Sequence, residues 1–343
     1  MTQPVQNKNT FFSLSSIAYV CVILVTLKWA QSLVLPLLLA LFISILAIPF
    51  LMWLKSKQFS QLSSFVILLA VIGIVGFAVS QVIVGAAKDF STNITFYESQ
   101  LEQKGDFLNK QLQTIGIDLN KTHLNALVNP SKLLQVLSAS LNQLANMLAQ
   151  SVLIALLVIF MLLEANYLYA KIKRINQSSN QNIAQIKQFI QSVNKYMQIK
   201  TIVSFITGFL ISIFLWFLKI HYPFLWGFLA FVLNFIPNIG SVLAMIPVIL
   251  LAIIQFGFAK AVLVILVYVA INFLMGNIIE PKFMGKGLGL SPLVILLSLV
   301  FWGWMFGPIG MLLSVPLTMI LKIGFEFGSG TKSLAILMSN DKA

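Results

Sequence analysis

Apolar positions dominate this chain and arrive in long runs, separated by short polar stretches. Runs near the ~20 residues that cross a bilayer are predicted at 11–27, 33–54, 62–87, 148–170, 201–220, 223–257, 259–278 and 290–326. Two of them are interrupted at the middle. The run 223–257 breaks at Pro237-Asn238-Ile239-Gly240-Ser241, and 290–326 breaks at Gly307-Pro308-Ile309-Gly310. Pro223 and Pro247 flank the first break, Pro292 and Pro316 the second, and each pair is 24 positions apart. A broken apolar helix exposes N–H and C=O groups that cost several kcal/mol each in lipid unless they line a protein-buried or watery cavity. Interrupted segments in two related halves are the sequence pointer to a solute-binding site between them.

Polar insertions are also periodic. In 88–149, Phe90, Ile94, Tyr97 and Leu101 repeat at helical spacing, followed by Leu108, Leu112 and Ile115. On the return, Leu134, Leu137, Leu141, Leu144 and Leu148 step by 3 and 4. These are coiled-coil-like seams, fitting either a helical hairpin cap or an oligomerising device. In 166–200, Ile183, Ile186, Phe189, Ile190, Val193, Tyr196 and Met197 form an apolar face, with Lys187 and Lys195 elsewhere. That pattern suits a helix on the membrane surface, or one packed on a span of the same protein.

Composition and charge sharpen this picture. The 343 residues are 59% hydrophobic and only 9% charged, where a soluble domain carries about 25% charged residues. The formal charge of +13 does not point to nucleic acid, because the basic residues flank apolar runs as the positive-inside rule requires. Lys171, Lys173, Arg174, Lys187, Lys195 and Lys200 occur in 166–200 without an acid, which places that segment in the cytoplasm. Counting spans puts both termini inside and 88–149 outside. The N-terminal run is read as a retained helix. Hairpin one then enters from outside and hairpin two from inside. The expected fold is an all-α polytopic membrane protein with about eight membrane segments. Two of these are oppositely oriented re-entrant hairpins, and a helical extracytoplasmic insertion is added. Its regions are 1–87 (three spans), 88–149 (insertion), 150–200 (fourth span and amphipathic helix), 201–330 (core with both hairpins) and 331–343 (cytoplasmic tail).

Candidate chemistry concentrates at the breaks. Asn234, Pro237, Asn238, Gly240 and Ser241 surround the first tip. The second tip, Gly307, Pro308 and Gly310, offers backbone alone. Such tips suit a small polar solute or a monovalent cation held by carbonyls and helix ends. Asn272, Asn277 and Glu280 lie between the hairpins and are candidates for ion coupling, since intramembrane polar groups are functional suspects. For Glu280 a structural pairing with Lys282 stands as the alternative. His123 and His221 lack metal-ligand spacing, and the lone Cys21 makes no internal disulfide. No cofactor is expected, and no HExxH, Walker loop or GxSxG appears, so the sequence does not read as an enzyme.

Several segments resemble the autoinducer-2 exporter (AI-2E) family of bacterial permeases. They are Tyr222-Pro223 through Asn234-Phe235-Ile236-Pro237-Asn238-Ile239-Gly240-Ser241, and Gly276-Asn277-Ile278-Ile279-Glu280-Pro281-Lys282-Phe283-Met284-Gly285-Lys286. Leu288-Gly289-Leu290-Ser291-Pro292 and Phe306-Gly307-Pro308-Ile309-Gly310, running on to Val315-Pro316, fit as well. The resemblance implies an inner-membrane homo-oligomer, pentameric, with substrates that differ among members: autoinducer-2 in quorum sensing for some, Na+(Li+)/H+ exchange for others. Two positions depart from the family pattern, Asn238 where an aromatic is common and Ser291 where His is common. The expectation is a secondary transporter working by alternating access. A passive channel and a non-transporting scaffold are the alternatives.

Overall fold

The computed structural model describes residues 14–97, 99–100, 103, 138–139, 151–175, 180–237, 239–284, 289–327 and 330–340. Their regular structure is helical. Helices α1 (Leu14–Trp29), α2 (Gln31–Ser56) and α3 (Gln61–Thr92) are followed by α4 (Ser151–Ile175) and the long α5 (Asn180–Phe217). Then come α6 (Pro223–Leu233), α7 (Gly240–Phe256) and α8 (Phe258–Asn272), which continues through a π-helical stretch (Phe273–Ile279) into α9 (Glu280–Met284). The chain closes with α10 (Pro292–Phe327) and α11 (Lys332–Leu337). Among the described residues, five helices are long and apolar enough to cross a membrane, and α1, α4, α6 and α7 supply shorter apolar helices. Most of the expected insertion, including Leu101 and the seam from Leu108 to Leu148, lies outside the described residues, as does His123.

Local chemistry sets the boundaries. Ser60 caps α3 by accepting from the Ser63 amide at 3.1 Å. Tyr222 adopts φ 60° and hands the chain to Pro223 at the first position of α6, where a missing N–H costs nothing. Gly257, at φ 85°, stops α7 and starts α8.

Both interrupted segments fold back on themselves. In the first, α6 and α7 run side by side. Their far ends are joined by the His221 amide donating to Gln255 Oε1 at 3.2 Å. At the turn, a Cβ on Gly240 would lie 1.7 Å from the Leu233 carbonyl oxygen. In the second, α10 is bent at Gly307, whose φ of 64° and ψ of −149° are non-helical. Trp302 Nε1 reaches Thr318 Oγ1 at 3.0 Å, and Lys322 Nζ reaches the Gly289 carbonyl at 2.7 Å. Along a straight helix, residues 302 and 318 would be separated by about 24 Å. Pro223 and Pro292 open the two segments, but the second proline of each pair does not close one: Pro247 lies inside α7 and Pro316 inside α10. Each removes one ladder bond, which bends a helix without ending it when neighbours pack against it.

The core is organised around α5. Its later half packs on α6 through two glycines, since a Cβ on Gly208 would meet the Gly227 carbonyl at 2.5 Å. Small residues at such a crossing let helix backbones touch where lipid provides no hydrophobic drive. Ile211, Leu215, Leu225, Trp226, Ala244 and Val248 are buried together there. Toward its earlier half, Val193, Tyr196 and Met197 join Phe42, Phe235, Leu290 and Leu313 in a second cluster. This face of the amphipathic stretch is therefore packed inside the protein. The side chains of Ile183, Ile186, Phe189 and Ile190 are not described.

Candidate functional site

Where the first turn meets α5, α8 and α10, the structure forms a half-open cavity of about 500 Å³. The first turn contributes Asn234, Ile236, Pro237 and Ser241, and α7 adds Val242 and Met245. Helix α5 contributes Tyr196 and Lys200, and α10 contributes Ile295 and Val315. The remaining wall is Val269 and Asn272 of α8, then Phe273, Gly276 and Asn277 of the π-helical stretch, then Glu280.

That stretch explains how two asparagines five residues apart reach one cavity. On an α-helix, Asn272 and Asn277 would point well away from each other. The i→i+5 bonding of a π-helix brings residues five apart nearly above one another, and such insertions often mark functional sites. Asn234 is held in place by donating from Nδ2 to Ser204 Oγ at 2.9 Å.

The charged pair of the cavity is Lys200 and Glu280. Lys200 Nζ donates to both carboxylate oxygens, at 2.8 and 2.9 Å. The two side chains are only 6% and 16% exposed, so each charge relies on the other in place of water. Glu280 thus pairs with Lys200, not with Lys282, which is exposed. The reason is geometric: α9 turns Glu280 toward α5 and leaves Lys282 on the outer side. Because the charges cancel, the lining presents amide, hydroxyl and carbonyl groups around a neutral ion pair.

Of the residues singled out from sequence, Asn234, Pro237, Ser241, Asn272, Asn277 and Glu280 line this cavity. Gly240 is buried beside it, against Leu233. Asn238 lies outside the described residues. Gly307, Pro308 and Gly310 are not in the lining; α10 reaches the cavity through Ile295 and Val315 on its two arms. Lys200, Tyr196 and Ser204 are missed by a reading centred on the breaks. Their signal is present nonetheless, as a polar stripe at i, i+4 and i+8 entering an apolar run. Among the described residues, no three potential ligands cluster to hold a metal.

A second polar group joins α3 to the far end of the first hairpin. Tyr222 donates its hydroxyl to Asp89, and Tyr97 OH is 3.0 Å from His221 Nδ1. Burial, then the bond to Asp89, pushes the Tyr222 hydroxyl well above its ordinary value of 10.0. Burial raises Tyr97 as well.

The family profile described as AI-2E family transporter matches residues 17–330. The chain belongs to the AI-2E transporter family. Among AI-2E relatives, it is 36% identical to the AI-2 transport protein TqsA of Escherichia coli K12, over 99% of each chain. A putative transport protein of Haemophilus influenzae is 37% identical, covering 97% of this chain and 98% of its own. The putative transport protein YhhT of Escherichia coli K12 is 30% identical, covering 98% and 97%. The family and the apolar helices together make this AI-2E protein a multi-pass membrane transporter.

Proposed function

We propose that this protein is a secondary transporter that carries a small polar, uncharged solute, the class that includes autoinducer-2, by alternating access. The observation that carries the reading is the cavity: amide and hydroxyl groups of Asn234, Ser241, Asn272 and Asn277 converge beside a self-neutralised Lys200–Glu280 pair. A solute with several hydroxyl groups satisfies those donors and acceptors, and a fixed net charge is not required. The relative named as an AI-2 transport protein, aligned end to end, supports this class.

In this reading the folded-back segments are re-entrant hairpins inserted from opposite faces. Helices α2 and α3 are joined by a short turn at residues 57–60, so Lys28 and Asp89 lie toward the same end of that pair. The base of the first hairpin meets Asp89, whereas the tip of the second meets Lys28. We place the protein in a bacterial inner membrane with both termini cytoplasmic, as a homo-oligomer, pentameric by family resemblance. Exchange of Na+ or Li+ for H+ is a second reading, favoured by Glu280 being a carboxylate in the cavity wall.

Everted vesicles test the proposal. Autoinducer-2 flux above that of vesicles lacking the protein, abolished by Asn234→Leu, is expected; flux equal to the empty vesicles sinks the solute reading. Single cysteines at Ser241 and Ile295, both in the cavity lining, in a Cys21→Ser background, test the mechanism. Labelling from one side at a time fits alternating access, and labelling from both sides at once fits a channel.

A further inference from the structure

Among the described residues, helix α1 makes a polar contact with the second hairpin through Lys28. Lys28 Nζ donates to the Trp304 carbonyl at 3.1 Å and sits 3.9 Å above the centroid of the Trp304 ring. The bond spans the chain from its first helix to its last long one, and it falls where α10 breaks.

The chemistry of that break explains the contact. The last four carbonyls of a helix have no intrahelical donor, and the first arm of α10 ends at Gly307, which leaves the helical region. The N–H that would ordinarily bond the Trp304 carbonyl belongs to residue 308. That residue is proline and has none. The carbonyl stands at the negative end of a half-helix dipole, where a cation is favoured. Lys28 supplies both the missing donor and the charge, and the indole face adds a second attraction for the ammonium. Elsewhere α1 presents exposed apolar side chains, among them Tyr19, Val22, Ile23, Val25 and Trp29.

We infer that Lys28 is a positioning residue: it caps the open end of the first arm of α10, holds the second hairpin in its folded-back form, and makes α1 a working part of the transport core. The transport half of this statement rests on the function proposed above; the capping half does not. Lys28→Met keeps the stem and removes the donor and charge. Lys28→Arg keeps both, and Trp304→Leu keeps the carbonyl but removes the ring.

Hydrogen–deuterium exchange of peptides covering residues 300–312, in nanodiscs, reads the cap directly. Lys28→Met is expected to raise exchange there about tenfold, the loss of one charge-assisted bond. Lys28→Arg should stay within about twofold of the parent and Trp304→Leu fall between. Unchanged exchange in Lys28→Met overturns the cap. Autoinducer-2 flux into everted vesicles reads the consequence: Lys28→Met should lower the rate about threefold to tenfold with Lys28→Arg restoring it. Parent-level flux in Lys28→Met, with exchange raised, overturns the positioning role. Absence of flux in the parent protein itself sinks the solute reading and leaves the exchange result to decide the cap.

Discussion

Lys200 and Glu280, eighty positions apart in sequence, meet in a bidentate ion pair at 2.8 and 2.9 Å on the wall of the cavity. Helix α5 places the lysine just below the first turn, and the end of the π-helical stretch delivers the carboxylate. Removing one partner strands the other charge in a poorly solvated site. Lys200→Met or Glu280→Gln alone should each cost about 3–5 kcal/mol of stability. The double variant should recover most of that, because no buried charge is left. Thermal unfolding of the detergent-solubilised protein measures all three. A loss in the double variant equal to the sum of the two single losses would show that the pair is not coupled. If the pair also serves in coupling, the double variant should stay folded yet lose the proton dependence of flux.

The Asn234 amide is oriented from behind by Ser204 Oγ at 2.9 Å. Ser204 is fully buried and is not among the residues lining the cavity. Ser204→Ala should leave Nδ2 free to turn, costing about 1 kcal/mol. It should raise the KM for solute with little change in maximal rate, while Asn234→Ala raises the KM and also lowers the maximal rate. Identical kinetic profiles for the two variants would argue that Ser204 itself touches solute.

How much of this was legible in the sequence follows from which interactions are local. Helix placement was legible, because the apolar runs end at Ser60, Pro223 and Gly257, residues that stop or start helices on their own. The position of both breaks was legible for the same reason, although Pro247 and Pro316 mislead: proline bends a supported helix without terminating it. The asparagines and Glu280 could be suspected as polar residues in apolar surroundings. Their convergence could not, because it depends on a π-helical turn with no strong residue signature. Lys200 reads as a boundary lysine until the fold carries Glu280 to it. The glycines Gly208 and Gly227 likewise acquire meaning only when α5 and α6 cross.

The group joining α3 to the first hairpin makes an alkaline prediction. Burial and the bond to Asp89 raise the Tyr222 hydroxyl above its ordinary 10.0. A raised acid favours the protonated, folded form. Its stabilisation is full below about pH 10 and fades as pH climbs through the higher folded value. Subtracting the Tyr222→Phe absorbance titration at 295 nm from the parent's should isolate a phenol that ionises well above pH 10. The stability gap between the two proteins should be constant at neutral pH and narrow above pH 10. A difference curve centred at pH 10 would mean that Tyr222 is neither buried nor bonded to Asp89 in solution.

Glycines at the two turns separate steric need from convenience. A Cβ on Gly240 would lie 1.7 Å from the Leu233 carbonyl oxygen, and one on Gly310 would lie 1.9 Å from that of Trp302. Backbone oxygens in helices cannot step aside, so each hairpin would have to open. Gly240→Ala and Gly310→Ala should each cost at least about 1–3 kcal/mol. Gly307 has open space around it but a φ of 64° and ψ of −149°, so Gly307→Ala is penalised by backbone strain of about 1–3 kcal/mol. Gly276 offers the contrast. It lines the cavity, yet nothing stands within 4 Å of its Cβ position. Gly276→Ala should be neutral or stabilising by about 0.5–1 kcal/mol, as for a helical glycine, while its methyl group projects into the solute space and raises KM. Thermal unfolding and flux kinetics of the four variants form one experiment. A Gly276→Ala protein as unstable as Gly240→Ala would contradict the assignment of the turns as the crowded points of the fold.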